Sequence, residues 1–296
     1  MSLTANLIGY WKLNESSGDA TDSSGEGHTL TNNGTVTYSA GKLNNCANIS
    51  TDKYFSNASY TDFDLGTDIF TVAFWEKRNG NPASTELMIT TSSDWLTDGR
   101  YGIATRSSGR IGWSGYGYTW QTTSTSLSDN AWHRIVFVRE GTGTNQFKIY
   151  VDGSLDITDT NSDNYNAGDC FIIGHVGDMW FNGFIDDVRI YKGNAWTSGD
   201  VTTDWNSGAG QELVEEKVAQ SLSIDYNNGT ITQAKLTSIV SSGSFNYYLT
   251  ANGGTNWEAV SSGILHTFTY TGTDLRWKAI TSDDGVLTQI KVEDYH

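Results

Sequence analysis

Apolar and aromatic residues in this chain come in short runs, and each run is stopped by a cluster of Gly, Asn, Asp, Ser or Thr. Phe70-Thr71-Val72-Ala73-Phe74-Trp75, Arg134-Ile135-Val136-Phe137-Val138, Phe147-Lys148-Ile149-Tyr150-Val151 and Cys170-Phe171-Ile172-Ile173 are examples. Runs of this length and composition read as strands. With one Pro against 32 Gly, the turns fall to residues that reach positive φ or bond their own backbone. Asp152-Gly153, directly after one run, marks a hairpin. Strands joined by hairpins and longer loops predict an all-β chain built as an antiparallel β-sandwich.

At 296 residues the chain has room for two cores. The strand pattern runs through residues 1–206. Around Ser207–Gly210 the composition turns to Ser, Gly and Ala, and Gln211–Ala219 is charged and free of Gly. Val214, Val218 and Leu222 recur four apart, so 207–220 reads either as a linker or as a short helix. Alternation returns over 221–296 with Leu222, Ile224 and Tyr226, then Phe245, Tyr247 and Leu249, then Leu275, Trp277 and Ala279. The turns Asn227-Asn228-Gly229, Asn252-Gly253-Gly254 and Asp283-Asp284-Gly285 divide these runs into a second, smaller β-sandwich.

Asp and Glu number 34 against 18 Lys and Arg, a net charge of -16. Such a surface repels phosphate backbones and anionic lipid, which argues against nucleic acid and membrane as partners. No apolar stretch reaches the length of a membrane span, and Met1–Asn6 lacks the opening of a standard signal peptide. Cys46 and Cys170 are either free thiols or one disulfide, and no Cys or His spacing suggests zinc.

Three ordered segments of the first domain resemble the laminin-G-like, concanavalin A-like lectin/glucanase superfamily. They are Gly9-Tyr10-Trp11-Lys12-Leu13 with Asp22–His28, then Trp132-His133-Arg134-Ile135-Val136 with Ile149–Gly153, and then Phe181-Asn182-Gly183-Phe184-Ile185-Asp186-Asp187-Val188-Arg189-Ile190-Tyr191. The resemblance covers about residues 1–205 and implies a jelly roll of two curved antiparallel sheets, often with one calcium ion. In the family, the Asp22–His28 loop and the first Asp of the closing strand meet at the ion. This implies Asp22 and Asp186 as side-chain ligands, with carbonyls near Gly25 and His28. If Ile185–Tyr191 is a regular strand, Asp186 shares the apolar face with Val188 and Ile190, where a carboxylate needs a cation or several donors. The alternative is that Asp22 caps a turn and Asp186 accepts backbone N–H bonds.

Some enzymes of this fold hydrolyse glucans with a Glu-x-Asp-x-x-Glu strand, which is missing here. Glu76, Glu86, Glu140 and Glu258 stand singly, whereas glycoside hydrolysis needs two facing carboxyls. No nucleophile elbow or phosphate loop accompanies the five His residues. The chain therefore reads as non-catalytic, with a glycoside hydrolase the third choice.

Aromatic residues in turn-rich segments are the positive signal. Trp113, Tyr116, Tyr118 and Trp120 lie among glycines, and Trp95 with Asp98 and Trp180 are flanked by acids. Rings stack on the C–H faces of sugars while polar side chains take the hydroxyls. The same alternation also fits core rings on two strands.

In the second domain Thr250-x-Asn252-x-Gly254-x-x-Trp257 resembles the Asp-box hairpin of sialidase-like proteins, a structural turn when single. With Thr271–Ala279 it also resembles small β-domains of phage and viral structural proteins, which implies a virion surface or extracellular setting, virion proteins as partners and a homo-oligomer such as a trimer. The first expectation is an adhesion module for a glycan or cell-surface polymer. The second is a virion decoration protein.

Overall fold

The structure, a computed structural model, describes residues 3–58, 61–94, 99–115, 119–166, 168–213, 217–224, 229–281 and 285–295. Two compact units divide the chain, Met1–Glu212 and Leu213–His296.

The first unit opens with strands β1 (Leu7–Trp11), β2 (Thr31–Asn33), β3 (Thr37–Ala40), β4 (Asn45–Ile49) and β5 (Tyr54–Asn57). Next come β6 (Phe70–Asn79), β7 (Glu86–Thr90), β8 (Tyr101–Thr105), β9 (Ile111–Gly115) and β10 (Gln121–Thr122). It continues through β11 (Asp129–Arg139), β12 (Phe147–Val151), β13 (Ser154–Asp159), β14 (Phe171–Ile173), β15 (Gly183–Lys192) and helix α1 (Ser198–Trp205). One sheet has the order β13-β12-β11-β6-β15-β4-β3, with β1 also on β15, and the other the order β10-β9-β8-β7-β14-β5-β2. All these pairs are antiparallel, as the sequence predicts. The hairpin at Asp152-Gly153 has φ of 50° and 78°, the left-handed pair that matches strand twist.

Alternate residues of both sheets meet in one core. Val72 and Phe74 of β6 and Ile135 and Phe137 of β11 face Ile103 of β8 and Trp113 of β9. Trp113 stacks on Tyr101 at 4.7 Å and on Phe70 at 4.8 Å, and is wholly buried. The expectation that Trp113 contacts a ligand is therefore corrected: its strand position turns the ring inward.

Helix α1 has a reciprocal cap, in which Thr197 Oγ1 accepts from Asp200 N and Asp200 Oδ2 accepts from Thr197 N. The helix holds Trp205 against Trp75 at 5.3 Å on the outer side of β6.

The second unit contains β16 (Lys217–Gln220), β17 (Ile231–Ser242), β18 (Asn246–Thr250), β19 (Glu258–Val260), β20 (Leu265–Gly272), β21 (Arg276–Thr281) and β22 (Val286–Tyr295). Its sheets run β16-β21-β18-β19 and β20-β17-β22, around Leu236, Leu249, Phe268 and Leu275. Within 207–220, the helix-or-linker reading is corrected at its end, because Lys217–Gln220 pairs with Lys278–Thr281 as a strand. Val214 and the turns at 227–228 and 283–284 lie outside the described residues. Among the described residues no helix is long and apolar enough to cross a membrane.

Candidate functional site

The carboxylates expected at calcium are held by other partners. Asp22 Oδ1 accepts the amides of Tyr10 (3.0 Å) and Ser24 (2.9 Å), and its Oδ2 accepts Ser24 Oγ and His28 N, both at 2.8 Å. It caps the loop to His28, whose carbonyl receives the indole N–H of Trp11. Gly25 lies in that loop with φ of 93°.

Asp186 belongs to a different neighbourhood. Its Oδ2 accepts the amides of Lys42 and Leu43 at 2.8 Å each. The regular-strand premise fails because the β15–β6 register shifts between Asp186 and Arg189, and Asp187 has φ of 50°. This bulge leaves both Ile185 and Val188 in the core and turns Asp186 and Asp187 away from it. Among the described residues, no group of three or more His, Cys, Asp or Glu is placed to hold a metal.

Protein donors thus satisfy both oxygens of Asp22 and Oδ2 of Asp186, while Asp186 Oδ1 is buried with no hydrogen-bond partner. Millimolar calcium is expected to leave the Tm of chelator-treated protein unchanged. A calcium-dependent rise would show that carbonyls and a rearranged Asp186 do build a site.

The bulge instead feeds a buried ion network. Arg134 donates to Asp204 through Nε (2.7 Å) and Nη2 (3.1 Å) and lies 3.0 Å from Asp187 Oδ2. Arg189 donates to Asp204 Oδ1 (2.6 Å) and Asp187 Oδ1 (2.9 Å) and reaches the Gln211 carbonyl, while Tyr10 adds a hydroxyl bond to Asp187. These groups clamp α1 and the following loop onto the sheet.

The four singly placed glutamates noted in the sequence are also engaged or buried. Glu86 is gripped by both terminal nitrogens of Arg78, Glu140 meets Lys148 at 2.5 Å, and Glu258 accepts from the amides of Thr269 and Tyr270. Glu76 lies inside the sandwich, and burial raises its pKa to about 8.

Partly exposed rings gather on the outward side of the second sheet. Ala104 of β8, which alternates with the core residue Ile103, forms a small cluster with Leu87 and Val176, covered by Trp120 and Met179. Gly112 leaves room for Trp120, because a Cβ there would stand 3.0 Å from the ring, and Arg106 lies 4.6 Å over that ring.

Beyond β14 the chain stays bonded to β7 through Gly174 N to Met88 O and Leu87 N to Met179 O. The residues between loop outward, closed by Met179 N to Val176 O at 2.9 Å. This loop stacks His175 on Trp180 at 4.1 Å, with Tyr54 of β5 4.2 Å from His175 and 5.9 Å from Trp180.

Trp120 and Trp180 are therefore brought to one face of the sheet. Trp95, Asp98, Tyr116 and Tyr118 lie outside the described residues. Tyr54, His175 and Arg106 were not singled out from the sequence. His175 carried a signal in Gly174-His175-Val176-Gly177-Asp178-Met179-Trp180, a polar loop ending in Trp, whereas Tyr54 joins the rings only through the β5–β14 pairing.

A two-sheet lectin-like sandwich with rings on the outer face of one sheet is the class this first unit defines. A sequence model of the concanavalin A-like lectin/glucanases superfamily matches residues 50–202, more than half of the chain, and the chain belongs to that superfamily. No curated protein matches it by sequence.

Solved structures share the fold. Domain 4 of an extracellular arabinanase from Geobacillus stearothermophilus, solved with arabinotriose, has a TM-score of 0.53 at 20% identity, over 70% of this chain and 98% of its own. The binding domain of Paraclostridial Mosquitocidal Protein 1 has a TM-score of 0.57 at 17% identity, over 91% and 69%. A botulinum neurotoxin type C structure, described by dependence of cell entry on two ganglioside molecules, has 0.54 at 15% identity, over 78% and 57%. Identities this low speak to fold alone.

Proposed function

We propose that the chain is a non-catalytic recognition module whose first unit binds a saccharide or glycan-bearing surface outside the cell. The observation that carries this reading is the ring group Tyr54–His175–Trp180, partly exposed and held by a backbone-bonded loop. Aromatic faces fixed in this way can stack on the C–H face of a sugar, with little left to order on binding. A similar structure solved with arabinotriose supports the reading. The engagement of Glu86, Glu140 and Glu258 and the burial of Glu76 argue for binding without hydrolysis, which needs two facing carboxyls.

Trp180→Ala is expected to weaken binding to a glycan array about tenfold or more, the equivalent of about 1.4 kcal/mol, while the circular dichroism and Tm of the sandwich hold. Undiminished binding by the folded variant would move the site elsewhere.

A further inference from the structure

We propose that the saccharide taken by this face is electrically neutral, and that sialylated or sulfated glycans are excluded by charge. This deepens the glycan reading and rests on it. A carboxylate or sulfate is recognised by Arg, Lys or converging backbone N–H groups. The ring group offers apolar faces instead. Burial lowers the pKa of His175, so its imidazole adds no positive charge at neutral pH, and the carboxylate that acts on it is that of Asp52. Asp52 is exposed, as is Asp178 on the turn between His175 and Trp180.

The guanidiniums of Arg78, Arg100 and Arg106 are already engaged, and Lys53, between Asp52 and Tyr54, stands beside two exposed carboxylates. Arg78 reaches the carbonyl of Asn182, two residues beyond Trp180, but is held by both oxygens of Glu86. Arg100 precedes the inward-facing Tyr101 on β8, so it points outward, and it lies 2.7 Å from Asp94 and 3.3 Å from Asp169. Arg106 is stacked on Trp120. An acidic ligand would thus meet carboxylates at the rings and a chain of net charge -16.

The test uses immobilised neutral oligosaccharides and their sialylated or sulfated counterparts on the same backbone. The full chain is applied at low and at physiological salt, beside a double variant Asp52→Lys/Asp178→Lys. Neutral forms are expected to bind at least about tenfold more tightly than their acidic counterparts, because like charges in contact cost several kcal/mol. The double variant should narrow that gap, most of all at low salt. Tighter binding to acidic forms, strengthening as salt falls, overturns the inference and leaves the glycan reading intact. Equal binding that ignores the substitutions overturns it too. Binding to neither set removes the glycan reading itself.

Discussion

The Tm of this protein is expected to fall as pH is raised from about 5 to 8.5, by roughly 5 to 15 °C, the reverse of ordinary acid sensitivity. Burial raises Glu76 and Asp186 to about 8 each, the latter against the opposing bonds from the Leu43 and Lys42 amides. Burial lowers His133, but Asp152 and Asp129 outweigh it and raise the imidazole to about 9. In each case the folded state holds a proton that the unfolded chain releases at lower pH. The stability this gives is complete below the unfolded pKa and is lost as pH climbs through the folded one.

For the two acids the loss runs from about pH 4 to 8, and for His133 from about 6.5 to 9. Among groups shifted the other way, Asp129, Asp169 and Asp274 lose their contribution only on falling through values below about 4, outside this window, and His175, lowered by burial, opposes the trend only up to about pH 6.5. Each pK unit of difference is about 1.4 kcal/mol, so the buried acids dominate. Thermal melts across the range are the measurement. Glu76→Gln should flatten the slope below pH 8, and a Tm that rises over the window would mean that the acids are ionised in the folded state.

Asp204→Ala should lower the Tm of the first unit by about 10 °C. Asp204 takes two bonds from Arg134 and one from Arg189, all of them buried. Its removal leaves two guanidiniums out of water with Asp187 as the remaining carboxylate of the network. Breaking one partner of a buried pair costs about 3–5 kcal/mol, and 1 kcal/mol moves the Tm of a unit this size by about 2–4 °C. The second unit has its own core, so scanning calorimetry should show the loss in one transition while the other stays. A shift of under about 2 °C would mean that water or Asp187 replaces the lost carboxylate, and that α1 is held by its apolar contacts, Trp205 on Trp75 and the buried Val201.

Much of the frame was legible because its cues are local. The runs at Phe70, Arg134 and Phe147, and the Asp152-Gly153 turn, need only neighbouring residues to declare a strand or a hairpin, and each forms where the pattern places it. At Asp186 the sequence yields the buried carboxylate and its need for donors, which the Lys42 and Leu43 amides supply, but not its side of the sheet, because alternation assumes an unbroken strand and the left-handed Asp187 inserts a residue. Trp113 and Trp120 sit in the same glycine-rich stretch, yet one fills the core and the other covers the opposite side of the sheet. Strand parity separates them, but which side faces the core depends on the second sheet. The ring group is half visible in the sequence: the acid beside Trp180 marks it, while its partners come from the loop it closes and from a strand more than a hundred residues earlier.

The first strand also governs the order of assembly. β1 pairs with β15, Leu7 opposite Tyr191 and Trp11 opposite Val188, so it cannot take its place until almost the whole unit has been synthesised. Contacts of such long sequence separation carry a large loop-closure entropy and slow the search for the native state. On the ribosome, β1 emerges well before β15, so until then Tyr10 and Trp11 have only local partners, Asp22, Ser23 and the His28 carbonyl, to hold them. Closing the sheet at β1 is thus a late step, and a mutation that weakens the β1–β15 pairing is expected to slow refolding more than one in the β11–β12 hairpin, as stopped-flow refolding would show.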